Sequence, residues 1–246
     1  MIGVLDSGSG GLYTYRLLRE LAPNLPLALY LDRKGAPYGT KQESEIISRL
    51  RDGIRSLIKI GSDRVLIACC TASTVYNKLT DDLKDVSVPI ISPAARLAAK
   101  VGGRVAIIAT SHTTASHAFR DEIHSIDPRV SVLERDAQPL VTMVDNGSHD
   151  GFCSKECREY LDLLAKELEQ FRPDTLVLGC THFSNLECEL KARLDGVKII
   201  SPARVGAFLI ASEYPQSRIT QNMKAKNIYT EGRHTSSERS DKDLRG

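Results

Sequence analysis

Leu178-Gly179-Cys180-Thr181-His182-Phe183 repeats, in the second half of the chain, the pattern of Ile67-Ala68-Cys69-Cys70-Thr71-Ala72 in the first half. Each cysteine follows a short apolar run of strand character, Thr175–Gly179 or Arg64–Ala68, and is followed by a helical pattern. In α/β proteins, small anions bind where a strand ends and a helix begins. One such thiol in each half predicts a single site built from two facing cysteines.

Short apolar runs alternate with helical patterns through the rest of the chain. The predicted strands are Ile2–Leu5, Leu27–Leu31, Arg64–Ala68, Val88–Ile91, Val105–Ala109, Val130–Leu133, Thr175–Gly179 and Val197–Ile200. Apolar residues at helical spacing predict helices over 12–21, 46–58 and 160–168. Asp145-Asn146-Gly147 is typical of a loop.

The two halves of the chain also share a short stretch of similar sequence. Ile90-Ile91-Ser92-Pro93-Ala94-Ala95-Arg96 recurs as Ile199-Ile200-Ser201-Pro202-Ala203-Arg204, a shift of 109 residues, and the two cysteine motifs are 111 residues apart. Two landmarks with nearly the same shift indicate a duplicated α/β domain. We expect two pseudosymmetric domains, each with a mainly parallel sheet flanked by helices, and an active site in the cleft between them.

We place the first domain at 1–95 plus 205–230 and the second at 96–204. The segment 231–246 is predicted to be a disordered tail because Leu244 is its single large apolar residue.

Composition limits the function classes. Among 246 residues, 41% are hydrophobic and 26% are charged, which is typical of a globular protein. The formal net charge is only +2, and five Phe and eight Tyr with no Trp offer little for base stacking, so we expect no nucleic-acid partner. No apolar run approaches the roughly 20 residues that cross a bilayer, so we expect no membrane association.

The first residues enter a strand without a basic leader or cleavage site, so we expect a cytoplasmic protein. Six cysteines are then expected to be reduced thiols. Cys153 and Cys157 have C-x3-C spacing with no partner pair nearby, which argues against zinc.

Four motifs, in order and with suitable spacing, resemble the glutamate racemases of the aspartate/glutamate racemase family. They are Asp6-Ser7-Gly8-x-Gly10-Gly11, Pro37-Tyr38-Gly39, Ala68-Cys69-x-Thr71-Ala72 and Gly179-Cys180-Thr181-His182. The resemblance covers about residues 2–210. It implies interconversion of L- and D-glutamate for peptidoglycan synthesis, with no cofactor and no metal, by an enzyme that is often a homodimer.

The resemblance also implies roles for individual residues. Cys69 and Cys180 would be the two acid/base residues, with Asp6 assisting Cys69 and His182 assisting Cys180. The residues implied to line the glutamate site are Ser7, Pro37, Tyr38, Gly39, Cys70, Thr71, Thr113 and Thr181.

The chemistry explains the choice of residue types independently. Racemisation removes the α-proton from one face of a carbon and returns a proton to the other face, so it needs two opposed groups. One thiolate and one thiol meet this need. A free thiol has a pKa of roughly 8.5, and a helix N-terminus or a neighbouring His is expected to lower it.

Two positions depart from the family pattern. The usual Cys-Asn-Thr reads Cys69-Cys70-Thr71 here, and a thiol is a poor substitute for an amide. The family tends to carry Glu near Val144, where this chain has Asp145, an accessory candidate with shorter reach. Two alternatives therefore stay open: a racemase for aspartate or another amino acid, and a non-catalytic relative that binds a ligand.

Each motif also has a purely structural interpretation. A cysteine at a strand end is ordinarily a small buried hydrophobe, and an isolated His is ordinarily a core residue. The Asp6–Gly11 stretch lacks the glycine spacing of a dinucleotide site and the Lys of a P-loop, which leaves a tight turn or a cradle for a substrate carboxylate. Cys153, Cys157 and Cys188 are interpreted as structural or surface thiols.

Overall fold

Short buried strands alternate with helices through this computed structural model, which describes residues 1–147, 153–214, 228–231 and 236–237. The strands are β1 (Ile2–Asp6), β2 (Leu27–Leu31), β3 (Arg64–Ile67), β4 (Ser87–Pro89), β5 (Arg104–Ala109), β6 (Ser131–Asp136), β7 (Thr175–Gly179), β8 (Lys198–Ile200), β9 (Ile228–Glu231) and β10 (Ser236–Ser237). The α-helices are α1 (Gly11–Leu21), α2 (Glu43–Lys59), α3 (Cys70–Ser73), α4 (Asp81–Asp85), α5 (Ile91–Val101), α6 (Ser111–Ser116), α7 (Ala118–Ile126), α8 (Pro139–Gly147), α9 (Lys155–Phe171), α10 (Glu187–Arg193) and α11 (Pro202–Glu213). Three 3-10 helices cover Tyr38–Thr40, Tyr76–Lys78 and Thr181–Leu186.

The strands form two sheets. The first has six strands in the order β10-β9-β2-β1-β3-β4, and the second has four in the order β6-β5-β7-β8. All pairings are parallel except β9 with β10. The predicted fold class, two α/β units with mainly parallel sheets flanked by helices, is confirmed.

The register of the strands aligns their carboxyl ends. Asp6 of β1 pairs with Leu31 of β2, and Leu5 pairs with Ile67 of β3, so the residues that follow these strands meet at one edge. In the second sheet Ala109 pairs with Gly179, which places Thr110 and Cys180 side by side in the same way. Since parallel strands bring their loops to a common edge, each sheet presents one loop cluster for a site.

One hydrophobic cluster connects the two sheets. It includes Val4 and Leu66 from the first sheet and Ile107 and Val177 from the second, all fully buried. Between them pack α5 and α11, whose buried faces are rich in alanine. Small side chains let helices and sheets approach closely, so this continuous core fixes the two sheets relative to each other.

The predicted domain boundaries fall inside two of these connecting helices. Residues 95 and 96 lie within Ile91–Val101, and residues 204 and 205 lie within Pro202–Glu213. β9 pairs with β2, so residues 228–231 belong to the first sheet. Strands of the first sheet come from residues 2–89 and 228–237, and those of the second from 104–200. The precise boundaries stay a prediction.

Two local predictions differ from the structure. Val88–Ile91 was expected as one strand, but β4 ends at Pro89 and α5 begins at Ile91. Asp145-Asn146-Gly147 is the last turn of α8 and not a loop. The reason is that Leu140, Val141 and Val144 recur at helical spacing and are buried on one face.

The predicted tail lies mostly outside the described residues. Of 231–246 the structure describes Glu231, which ends β9, and Ser236–Ser237, which form β10. These three residues are in strands where disorder was predicted. Across the part of the chain that is described, no helix combines the length and the apolar character needed to cross a membrane.

Candidate active site

Cys69 and Cys180 occupy equivalent places in the two sheets. Cys69 follows β3 and is the N-cap of α3, and Cys180 follows β7 and precedes the 3-10 helix Thr181–Leu186. Both side chains are buried, at 5% and 8% exposure of the residue. Strand ends from both sheets thus deliver one thiol each to the cleft, as the repeated motif predicts.

A cavity of about 380 Å³ lies between these strand ends. Its walls come from both domains. They include most of the predicted site residues: Ser7, Pro37, Tyr38, Gly39, Cys69, Cys70, Thr71, Asp145, Cys180, Thr181 and His182. Two predicted residues, Asp6 and Thr113, do not line it but bond to residues that do. The volume suits a small amino acid.

Cys69 is surrounded by hydrogen-bonding groups of its own domain. Its Sγ lies 3.3 Å from Ser7 Oγ and accepts the backbone N–H of Ala72 at 3.4 Å. Burial, and next the charge of Asp6, raise the pKa of Cys69 to about 12 in spite of these two bonds. The N–H at the start of α3 acts to lower this pKa, as expected, but burial and the charge of Asp6 outweigh it.

Asp6 lies beneath the site and connects its two halves. Gly8 N–H donates to its Oδ1 at 2.9 Å, and Thr181 Oγ1 donates to its Oδ2 at 3.1 Å. Ser7 Oγ is 3.5 Å from Oδ1, so the carboxyl reaches Cys69 through Ser7 and not directly. Burial raises the pKa of Asp6, outweighing the charge of His182 and these hydrogen bonds. The Thr181 hydroxyl proton is therefore used in the hydrogen bond to Asp6.

Cys180 faces an imidazole. His182 Nδ1 lies 3.6 Å from Cys180 Sγ, and His182 Nε2 lies 3.2 Å from Asp145 Oδ1. Burial by itself lowers the pKa of His182, but its contacts with Asp145 and Cys180 more than reverse this and raise it to about 11. Burial likewise acts to raise the pKa of Asp145, but bonds with His182 and Ser9 bring it below its ordinary value. The Asp145 carboxylate, the His182 imidazolium and the Cys180 thiol therefore form one chain of polar contacts.

The Pro37-Tyr38-Gly39 loop is held by a buried carboxylate beneath it. Tyr38 Oη donates to Asp32 Oδ2 at 2.8 Å, and Arg49 Nη1 donates to the same oxygen at 2.9 Å. Burial and the neighbouring Asp32 raise the pKa of Tyr38, so its hydroxyl stays protonated. The Ala36–Pro37 peptide bond is cis. This network presents the loop backbone to the cavity as a fixed wall.

Three threonine hydroxyls form a closed group in the wall beside this loop. Thr71 Oγ1 lies 2.9 Å from Thr110 Oγ1 and 3.1 Å from Thr113 Oγ1, and the last two are 2.9 Å apart. Thr71 and Thr110 line the cavity, whereas Thr113 supports them from behind. The group joins α3 of the first domain to β5 and α6 of the second.

Cys70 is a third thiol in the wall, 1% exposed. Burial raises the pKa of Cys70 well above its ordinary value, and the neighbouring Cys180 and Cys69 add to the effect. A neutral thiol presents a weak donor where an amide would present two donors and an acceptor. Cys70 therefore adds little polarity to this wall.

At two glycines, the backbone of the first domain packs directly against side chains of the second domain. A Cβ on Gly10 would collide with Thr181 Oγ1 and lie 2.9 Å from His182 Nδ1. A Cβ on Gly39 would collide with Gln138 Oε1 and lie 2.7 Å from Thr110 Cβ. In both places a first-domain loop contacts a second-domain element, so a side chain would push the cleft open.

The sequence analysis missed several lining residues, chiefly Ser9, Arg33, Thr110, Thr142 and Asn146. Ser9 and Arg33 sit beside motifs that were identified, but nothing in the letters shows where a loop side chain points. Thr142 and Asn146 share a face of α8 with Asp145, at positions i, i+3 and i+4. That helical spacing could have identified Thr142 and Asn146 as neighbours of Asp145. It was not recognised because the sequence around Asp145 is typical of a loop.

The raised pKa of Cys69 leads to a test of its surroundings. At pH 8 a thiol with a pKa of about 12 is ionised to about one part in 10⁴. We expect iodoacetamide to modify Cys69 at least about 100-fold more slowly than exposed Cys188, with a rate at Cys69 that keeps rising to pH 11 because the thiolate is the reactive form. Peptide mass spectrometry after timed labelling measures both rates. A Cys69 rate that levels off near pH 9 would contradict the shift.

Comparisons with known proteins agree with this architecture. Residues 2–210 match the family model described as Asp/Glu/Hydantoin racemase. The chain is 32% identical over 234 residues to a glutamate racemase from Gloeobacter violaceus, covering 94% of this chain and 87% of that protein. A Trichodesmium erythraeum glutamate racemase is 35% identical over 205 residues, covering 82% of this chain and 74% of that protein.

Solved structures of glutamate racemases are also similar to this chain. The glutamate racemase isoform RacE1 from Bacillus anthracis superposes with a TM-score of 0.82 at 27% identity, covering 93% of this chain and 87% of that one. A Francisella tularensis glutamate racemase in complex with D-glutamate superposes with a TM-score of 0.79 at 26% identity, covering 93% of this chain and 86% of that one. With the matched model spanning strands β1 to β8 and both cysteines, the chain belongs to the Asp/Glu/hydantoin racemase family.

Proposed function

We propose that this protein is a glutamate racemase that moves the α-proton between two thiols, Cys69 and Cys180. The observation that carries the proposal is that strands of two separate sheets deliver these thiols to one cavity of about 380 Å³. The resemblance to glutamate racemases over nearly the whole chain supports glutamate as the substrate. The product would serve peptidoglycan synthesis.

In the proposed reaction one cysteine acts as a thiolate base and the other as a thiol acid. From one enantiomer, Cys180 removes the α-proton while Cys69 supplies a proton to the opposite face, and from the other enantiomer the roles reverse. His182, paired with Asp145, stabilises negative charge on Cys180 Sγ. On the other side Ser7 and Asp6 form a path by which Cys69 regains or loses its proton.

The charges around the cavity favour an acidic amino acid. Arg33 is the one Lys or Arg side chain among the described residues that line the cavity, and it lies at the exposed rim. The protonated His182 is paired with Asp145, which also lines the cavity, so this pair adds no net charge inside. Hydroxyls of Thr71 and Thr110 make one wall polar without adding charge. We propose that this wall and the backbone of the Tyr38-Gly39 loop hold the two carboxylates.

Deuterium exchange tests reaction and substrate together. We expect purified protein in D2O, with no added cofactor, to incorporate deuterium at Cα of L-glutamate and to form D-glutamate, because each turnover delivers a solvent-derived proton. The same assay on aspartate tests the alternative that Cys70 and Asp145 favour another substrate. Proton NMR and chiral chromatography follow both reactions. No exchange with either glutamate enantiomer would overturn the proposed function, and faster exchange with aspartate would replace the substrate.

We also propose a cytoplasmic location. All six cysteines are free thiols, including partly exposed Cys153 and exposed Cys188. Free thiols in this number are typical of a reducing compartment. A thiol-dependent reaction would be protected there.

A homodimer is the proposed assembly. Large apolar side chains are exposed on three helices that pack side by side: Leu97 and Val101 on α5, Ile126 on α7 and Phe208 on α11. Exposed apolar residues grouped on neighbouring elements are typical of a surface that pairs with another protein. Two copies of the chain related by a two-fold axis would cover it.

A further inference from the structure

Two serines of one loop point toward opposite halves of the site. Ser7 Oγ lies 3.3 Å from Cys69 Sγ, in its own domain. Ser9 Oγ, two residues later, lies 3.1 Å from His182 Nε2 and donates to Asp145 Oδ1 at 2.5 Å, both in the second domain. Ser7 belongs to the proposed Cys69 path, whereas Ser9 has no role in the reaction described so far.

Ser9 completes a triangle with the pair that serves Cys180. Asp145 Oδ1 and His182 Nε2 are 3.2 Å apart, and Ser9 Oγ bonds with both. Because the single hydroxyl proton of Ser9 goes to the carboxylate, its oxygen accepts from Nε2–H. This arrangement requires a proton on Nε2 and fixes the plane of the ring with Nδ1 toward Cys180 Sγ.

The loop that carries Ser9 is held against the second domain. Gly10, the next residue, approaches Thr181 and His182 so closely that no Cβ fits there. Behind the loop, Asp6 accepts from both Gly8 N–H and Thr181 Oγ1. The position of Ser9 relative to His182 is therefore set by backbone contacts on both sides of it, and the hydroxyl is pre-organised for its two partners.

We propose that Ser9 is a positioning residue for the Cys180 half-reaction. It acts through His182 and Asp145, and the inference rests on the proposed racemase function. The titratable groups that face His182 are Cys180 on its own segment, Asp145 on α8 and Asp6 on β1. Without the hydroxyl, Asp145 holds the ring by one contact from a side chain that is 45% exposed, and the ring gains freedom to turn from the thiol.

The test uses Ser9→Ala, with Ser9→Thr as the conservative variant that keeps the hydroxyl. Ser7→Ala provides the comparison on the Cys69 side, and Ser125→Ala, an exposed serine on α7, is the matched control. Racemisation of glutamate gives kcat and KM for each variant. Iodoacetamide labelling without substrate, followed from pH 6 to 10 by peptide mass spectrometry, gives the reactivity of Cys180 and Cys69 separately.

Ser9→Ala is expected to lower kcat about tenfold with little change in KM, since one hydrogen bond to a charged group is lost. It should slow labelling of Cys180 at neutral pH and shift its pH profile, while Cys69 stays as in the wild type. Ser9→Thr should restore both properties, Ser125→Ala should change neither, and Ser7→Ala should alter Cys69 instead.

Three outcomes would overturn the inference: unchanged kcat and Cys180 labelling in Ser9→Ala, equal changes at both thiols, or a raised KM alone. The second would mean a general loosening of the cleft, and the third would make Ser9 a substrate ligand. Failure of the proposed function is recognised separately, as wild-type protein inactive on both glutamate enantiomers. The labelling experiment needs no substrate and still decides the placement of Ser9 in that case.

Discussion

Cys69→Ser and Cys180→Ser are each expected to lower glutamate racemisation by about 10³-fold or more. Loss of a positioned acid/base group ordinarily costs about 10² to 10⁴ in rate, and a serine hydroxyl is far harder to ionise than a thiol. Both side chains are buried in the cavity wall, and serine is nearly isosteric, so the fold should persist. Chiral chromatography of product measures the loss.

Cys188→Ser is the matched control because Cys188 is an exposed thiol on α10. It should keep full activity. Glutamate binding, followed by thermal shift, should survive in the two cavity variants, since only one atom changes in each. If either cavity variant retained more than a tenth of the wild-type rate, the two-thiol mechanism would be wrong. Unchanged cellular function in both would instead favour a non-catalytic, ligand-binding protein.

His182→Asn is expected to lower kcat by about 100-fold, the second large effect. The substitution removes the cationic ring that contacts Cys180 Sγ and leaves Asp145 without its charged partner in the same domain. KM should change little because the ring acts on the thiol. Steady-state kinetics in both directions, with circular dichroism to verify folding, provide the measurement.

His117→Asn offers a control for the loss of an imidazole. His117 is 44% exposed, pairs with the largely buried carboxylate of Glu134 and has a left-handed backbone conformation that Asn tolerates. It should leave kcat unchanged. Activity of His182→Asn within threefold of wild type would show that the imidazole does not support Cys180.

The parts of this site that follow strands were predictable from the sequence. Cys69, Cys180 and Asp6 come directly after apolar runs, and parallel strands of fixed register must end at a common edge. Internal repetition then places the two cysteines in equivalent positions. No side-chain geometry is needed for this deduction, which is why sequence motifs alone can predict it.

Features that depend on side-chain direction or on burial were not predictable in the same way. In the sequence, Ser9 cannot be distinguished from any other serine in a turn. Its contacts depend on Gly10, which lets the loop approach the second domain closely. Asp145 was assigned to a loop because Asp-Asn-Gly is a turn pattern, yet the buried apolar face of α8 continues the helix through it. The pKa of Cys69 depends on depth in the cleft, which no local motif encodes.

The unlike surroundings of the two sulfur atoms have a kinetic consequence. One sulfur contacts a serine hydroxyl and the other an imidazole. Mirror-image amino acids have equal free energies in water, so thermodynamics fixes kcat/KM to be the same in both directions. No such law governs the enzyme-bound states, which differ when their flanking groups differ. Saturating turnover numbers and primary isotope effects should therefore be unequal for the two enantiomers, a handedness that the overall equilibrium conceals.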